Sequence, residues 1–339
     1  MKKILILLVL LLSVSFVFSK EEVRVSNFDF NVEFSKKNIV NSLQKKLSIT
    51  AITVYEDDET RLNSIEKDSD NVDVVYFTDY YSLLSKKKGL LQQLDTSKLI
   101  NLENIFSDAK DPIKENYAVG YTVYSLGIVY RVDKIRRPLV SWKDLWREDI
   151  LEFLALPDLN NPEGPAFYKM IDEVFGGDDD SWDLEIAFKK VEEIKDEIYS
   201  FYSSSNELKN LFENEEIYVA VVPKTLWGNL YNYGLNVIWL DPLEGNPGII
   251  NTLSIVKGTD NLENSYKYID FVLSQSTQLS QALDLVNSPV NKNVVVPDSI
   301  SENLVYSRSE VNGLIYFNLE KIVENIEKWN DMWAEKIMK

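Results

Sequence analysis

The apolar positions of this chain fall into short extended runs separated by stretches with helical spacing. Val23-Arg-Val-Ser-Asn-Phe28 alternates with the two-residue period of a half-buried strand, and Ile49-Thr-Ala-Ile-Thr-Val54 is a β-branched run of the same kind. Helical spacing runs from Asn38 to Leu47. Val72-Asp-Val-Val-Tyr-Phe77 predicts a buried strand, and the charged stretch Asp57–Asp70 before it predicts a helix with loops. A short helix is expected over Tyr80–Leu84, stopped by the Lys86-Lys-Lys-Gly89 cluster, and Lys98–Ile105 reads as loop with a helical turn. Tyr117–Tyr130 is one extended run about twice the usual strand length. It must bend at Gly120 or Gly127, or cross between two domains.

In the second half, Ser141 followed by Asp144 predicts a capped helix start, Phe153–Leu156 a strand and Ala166–Val174 a helix. Leu184, Ala187, Val191, Ile194, Ile198 and Phe201 recur in steps of three and four, which predicts one helix over Asp183–Phe201 with Glu192, Glu193, Lys195 and Glu197 outside. Ile217–Val222, Asn236–Leu240 and Ile249–Val256 read as strands. Helices are expected from Asn261 through Leu273, then up to Val286, and over Leu319–Ile337. Strands alternating with helices predict an α/β chain with mainly parallel sheets. No repeat or low-complexity linker interrupts it, which favours two tightly joined lobes.

The N-terminus adds a compartment. Lys2 and Lys3 precede the apolar run Ile4–Leu12, and Val17 and Ser19 occupy the small or branched positions of a cleavage site before Lys20. The apolar stretch Ile4–Phe18 is short of the roughly 20 residues of a membrane span. Residues 1–19 are therefore expected to be a signal peptide cleaved near Ser19, with an uncleaved anchor as the alternative, and the mature chain to work in the periplasm or another extracytoplasmic space.

Composition then removes chemistry. The chain has 36 Lys and Arg against 54 Asp and Glu, a net charge of −18 that excludes general attraction to nucleic acid. It has no cysteine, so disulfides, thiolate catalysis and a lipid-bearing cysteine are excluded. It has no histidine, so Ser-His-Asp and Cys-His machinery cannot be built and the commonest transition-metal ligand is missing. Carboxylate-only chemistry such as glycoside hydrolysis survives. None of the 12 glycines forms a nucleotide-binding or nucleophile-elbow motif.

The acidic runs Asp57-Asp58-Glu59 and Asp178-Asp179-Asp180 lack calcium-loop spacing and read as helix caps, so no metal and no cofactor is expected. Lys86–Lys88 suits a solvated helix end, and Trp329 with Trp333 suits core packing. The loop Pro157-Asp-Leu-Asn-Asn-Pro-Glu-Gly-Pro165 is different: it joins a strand's C-terminal end to a helix N-terminus, where α/β sheets hold ligands. A plain turn with Asp158 as its cap is the alternative.

Taken in order, Tyr55-Glu-Asp-Asp-Glu-Thr60, Asp73–Tyr81, Leu94–Leu99, Gly127–Tyr130, Ser141–Trp146 and Tyr266–Ser274 resemble the periplasmic solute-binding components of ABC importers. The resemblance is nearest to the spermidine/putrescine-binding group within the iron/thiamine/polyamine cluster. It implies a two-lobed α/β periplasmic binding protein fold of type II, with mixed sheets flanked by helices and the ligand in a cleft between lobes. Lobe 1 would comprise residues 20–122 plus 253–300, and lobe 2 residues 123–252 plus 301–339, with hinge strands near 120–125 and 251–254. Function would be capture of a small cationic solute, such as putrescine or spermidine, for delivery to a permease and its ATPase. Thiamine or another small solute on the same fold is an alternative, as is an exported carboxylate-dependent glycoside hydrolase.

Carried over by position, the resemblance implies ligand contacts from Phe28, Asp29, Thr78, Tyr80, Asp158 and Glu163. Aromatic rings would sandwich a methylene chain while carboxylates hold its ammonium ends. The departures bear on the ligand. A tryptophan after Val219–Val222 is replaced by Pro223, with Trp227 one turn later. A tryptophan and an acidic residue at the return crossing become Ile249 and Asn251, a tyrosine becomes Asn287, and a glutamine position falls near Asn318. Losing that central carboxylate removes a contact of roughly 1.5–3 kcal/mol.

Overall fold

The computed structural model describes residues 21–177, 181–232 and 234–339. The expected signal segment and the Asp178–Asp180 run lie outside the described residues. The strands are β1 (Glu22–Phe28), β2 (Thr50–Glu56), β3 (Val74–Thr78), β4 (Leu91–Gln92), β5 (Val119–Arg131), β6 (Leu154–Pro157), β7 (Ser200–Tyr202), β8 (Val219–Pro223), β9 (Val237–Leu240) and β10 (Gly248–Val256). Their order is β2-β1-β3-β10-β5-β8-β6-β7, with β4 added to β10 and β9 to β5. β1 lies parallel to β2 and β3, and β6 parallel to β7 and β8. β5 and β10 run antiparallel to every strand they pair with. The sheets are thus mixed rather than mainly parallel, because the strands between the two parallel sets run the other way.

β5 explains the overlong extended run. Its first half, Val119–Ser125, pairs with β10, and its second half, Leu126–Arg131, pairs with β8 and β9. One unbroken strand therefore belongs to both lobes. Neither glycine ends it. A Cβ on Gly127 would sit 2.3 Å from the Trp239 ring, so that position must stay small for the ring to cover the strand. Near Gly120 the ladder bulges: Asn251 faces Thr122 while Thr252 faces Gly120, leaving Tyr121 as the extra residue. A bulge re-aims its side chain, and Tyr121 lines the cleft described below.

Apolar packing follows the sheets. One core, with Val23, Leu43, Val74, Leu253 and Ile269, backs the β1–β3 side. A larger core runs from Phe77 and Leu83 through Tyr124 and Ile128 to Trp142, Phe167 and Phe188. The C-terminal helix Leu319–Lys336 belongs to it. That helix packs on both the helix Asp79–Lys87 and the helix Glu185–Glu192. Its Trp333 ring meets Tyr168, Phe188 and Phe201, and the Trp329 indole N–H donates to the Trp182 carbonyl at 2.8 Å. The paired tryptophans are core residues, as their spacing implies.

The expected helix Asp183–Phe201 is shorter than its stripe. It spans Glu185–Glu192, and Ile194 and Ile198 stay buried in the turns that follow. Phe201 instead lies in β7, where it pairs with Leu156 and meets Trp333. Tertiary contact overrides the helical period there.

Candidate ligand-binding site

The C-terminal ends of β1, β2, β3, β6, β7 and β8 converge, and each feeds a helix or turn whose first residues face a common cleft. A cavity of about 120 Å³ lies there. One side supplies Phe28 and Asp29 after β1, Asp57 and Asp58 after β2, and Thr78 at the end of β3. The other side supplies Asn161–Glu163, Ser203–Ser205 and Thr225, while Tyr121, Tyr124 and Asn251 come from the crossing strands. Among the described residues no lysine or arginine lines it.

The carboxylates differ in state. Asp58 is fully buried and pairs with the buried Arg61 at 2.9 Å, and it also accepts the Thr78 amide at 3.2 Å. Burial pushes the Asp58 carboxyl up, and the Arg61 charge opposes that shift. The Arg61 guanidinium lies over the Phe28 ring at 4.2 Å, so it steadies an aromatic wall of the cleft. Glu163 is 8% exposed, accepts the Tyr124 hydroxyl at 2.9 Å, and is pushed by burial up to about 7. Asp29 and Asp57 are exposed at the mouth, where Asp57 caps the helix Asp58–Lys67. Asn206 donates to the Asp29 side chain at 3.4 Å, a bond from one wall to the other. Tyr76 packs edge-on against Phe28 and Tyr121. Among the described residues no carboxylate cluster is arranged to hold a metal ion.

Of the residues read from sequence, Phe28, Asp29, Thr78, Glu163, Asn251 and Asn287 line this cavity. Tyr80, Asp158 and Trp227 do not. Tyr80 stacks edge-on to Tyr81 and faces a second cavity. The Asp158 carboxylate accepts the amide of Asn160 at 2.8 Å and closes its own turn. Trp227 packs between Tyr231 and Trp239 and donates to Asn303 at 2.9 Å. Thr225, two residues earlier on the same helix, faces the cleft instead, as positions two apart must point to different sides. Asp58, Tyr121, Tyr124 and the Ser203–Ser205 run were not anticipated. Asp58 had a legible signal, since it sits at the same strand-to-helix junction that singled out the Pro157–Pro165 loop.

Two sets of parallel strands joined through β5 and β10, with a polar cavity at their C-terminal ends, are the frame of a two-lobed binding protein. The chain belongs to the bacterial extracellular solute-binding protein family, whose model matches residues 46–279. It is a substrate-binding protein of the ABC importer kind and not an enzyme. It is 23% identical over 313 residues to the spermidine/putrescine-binding periplasmic protein of Escherichia coli, covering 89% of this chain and 85% of that one. The Salmonella typhimurium protein of the same name is 24% identical over 253 residues, or 71% of this chain and 70% of the relative. An ABC transporter protein from Clostridium perfringens superposes with a TM-score of 0.77 at 26% identity, over 93% of this chain and 99% of its own. A spermidine/putrescine substrate-binding protein from Streptococcus pneumoniae gives 0.74 at 19% identity, over 94% and 99%.

Proposed function

We propose that this protein captures a small organic cation, an amine of the polyamine type, in the interlobe cavity and hands it to a membrane permease driven by an ATPase. The observation that carries this reading is the cavity wall: four carboxylates (Asp29, Asp57, Asp58, Glu163), no lining lysine or arginine among the described residues, and the rings of Phe28, Tyr76, Tyr121 and Tyr124. Carboxylates hold ammonium groups, and aromatic faces pack on methylenes and attract cations. The names of the relatives support the same ligand class. A hydrolase would need two facing carboxylates free of any cation, whereas Asp58 is bound to Arg61.

The mechanical side of the proposal is closure about the crossing strands. Ligand contacts to both walls favour the closed arrangement over the open one by their differential energy. The exchange of β5 partners between Ser125 and Leu126, and the β5 bulge at Tyr121 opposite Asn251 and Thr252, support a hinge there. We place lobe 1 in residues 20–122 and 253–300 and lobe 2 in residues 123–252 and 301–339. Native mass spectrometry of the purified protein, followed by calorimetry with putrescine, spermidine and thiamine, tests the ligand. Stoichiometric binding of an amine without turnover is expected. Failure of every amine to bind, or consumption of a glycoside, would overturn the reading.

A further inference from the structure

Thr78 and Asn251 are partners in the β3–β10 ladder. They are 1% and 8% exposed, both line the cavity, and the Thr78 Oγ1 and Asn251 Oδ1 atoms have no hydrogen-bond partner. The unpartnered atom of the Asn251 side chain is its carbonyl oxygen. A buried polar atom without a partner costs about 1–3 kcal/mol. Two such atoms side by side in a cavity wall mark a place where a ligand completes the bonding. The pair is uncharged: one acceptor, and one hydroxyl that can both give and take.

The charged part of the cavity lies elsewhere. Asp58 is offset by Arg61, while Asp29 and Asp57 are exposed to solvent. Glu163 is the lining carboxylate that is buried and has no cationic partner, its one side-chain bond coming from Tyr124. The interior therefore offers one anionic seat and one neutral seat.

We propose that the ligand carries a single buried ammonium, held by Glu163, and a neutral hydrogen-bonding end, a hydroxyl or primary amide, held by Thr78 and Asn251. This rests on the reading above that the ligand is an amine. A ligand hydroxyl donates to Asn251 Oδ1 and accepts from Thr78 Oγ1, so both atoms are satisfied at once. A second ammonium in the same seat would be stripped of water and meet only Asp58, whose charge Arg61 already offsets. The protein thus selects an amino alcohol or amino amide over a diamine of equal length.

Calorimetry with putrescine and with the amino alcohol of the same carbon chain tests this, on the wild type, Asn251→Asp and Thr78→Val. The wild type should bind the amino alcohol about tenfold tighter, and Asn251→Asp should reverse the order by a similar factor. Thr78→Val should weaken the amino alcohol more than putrescine, whereas a purely structural role would weaken both equally. Wild-type preference for putrescine, or an unchanged order in a folded Asn251→Asp protein, overturns the inference and leaves the amine reading standing. Absence of binding by both compounds overturns the inference, and the amine reading falls with it only when spermidine and thiamine fail as well.

Discussion

Two cavities adjoin β10, and they differ in kind. The cleft cavity meets the strand at Asn251, is small and carries carboxylates, hydroxyls and rings. The second meets it at Gly248–Ile250, measures about 510 Å³, and is walled largely by apolar groups such as Leu83, Ile113, Pro165, Phe317 and Ile322. It also holds a buried carboxyl, Asp79. That group is fully engaged, accepting the Tyr80 amide at 2.8 Å and the Ile250 amide at 3.1 Å. No described residue lining the larger cavity has an unpartnered buried polar atom. Size alone would choose the second. What sets the proposed ligand site apart is unsatisfied hydrogen-bonding capacity, and what marks the other is a structural carboxyl tying a helix to a crossing strand.

The comparison can be broken by mutation. The largest effect is expected from Arg61→Met, which leaves Asp58 buried without its partner and should cost about 3–5 kcal/mol in denaturant unfolding. A loss below about 1 kcal/mol would show that Asp58 is neutral in the fold. Next, Glu163→Gln should weaken a cationic ligand by about ten- to a hundredfold in calorimetry. Asp79→Asn should leave that affinity nearly unchanged and lower stability by about 1–3 kcal/mol, since an amide accepts at one oxygen and strands one of the two backbone donors. Equal effects of the two substitutions on affinity would erase the distinction between the cavities.

The pH response separates the same two groups more gently. Burial pushes both Glu163 and Asp79 up to about 7, above the unfolded values. The folded chain therefore holds protons that the unfolded chain releases. The stability linked to each group is complete below the ordinary carboxylate range and is lost as pH rises through about 7. Affinity for a cation runs the other way and rises as Glu163 ionises. Melting curves and calorimetry between about pH 5 and pH 8 check both signs. Glu163→Gln should flatten the affinity profile, and Asp79→Asn only the stability profile. The smallest effect belongs to Asp158→Asn, which keeps the acceptor for the Asn160 amide and should change affinity less than about twofold. A tenfold drop would return Asp158 to the site.

Strand positions were legible because β-branched runs such as Val74–Thr78 and Gly248–Val256 are bounded by polar turns. The overlong run is one long strand, and only the pairing shows where its partners change. Helix ends were harder to read: the apolar stripe from Leu184 to Phe201 continues through turns and into a strand, and burial leaves the same pattern in all three. Cavity-lining residues arriving from strand ends, such as Thr78 and Glu163, could be named in advance. Tyr121 could not, because it is the extra residue of a bulge in its own strand, which re-aims it. Trp227 misled because an aromatic one turn past a strand looks available until its helix face is known.

The C-terminal helix has a further consequence for biogenesis. Trp329 and Trp333 are synthesised after Tyr168 and Phe188, yet both belong beside them in the larger core. That core is therefore complete only once the helix carrying both tryptophans has docked on elements laid down far earlier in the chain.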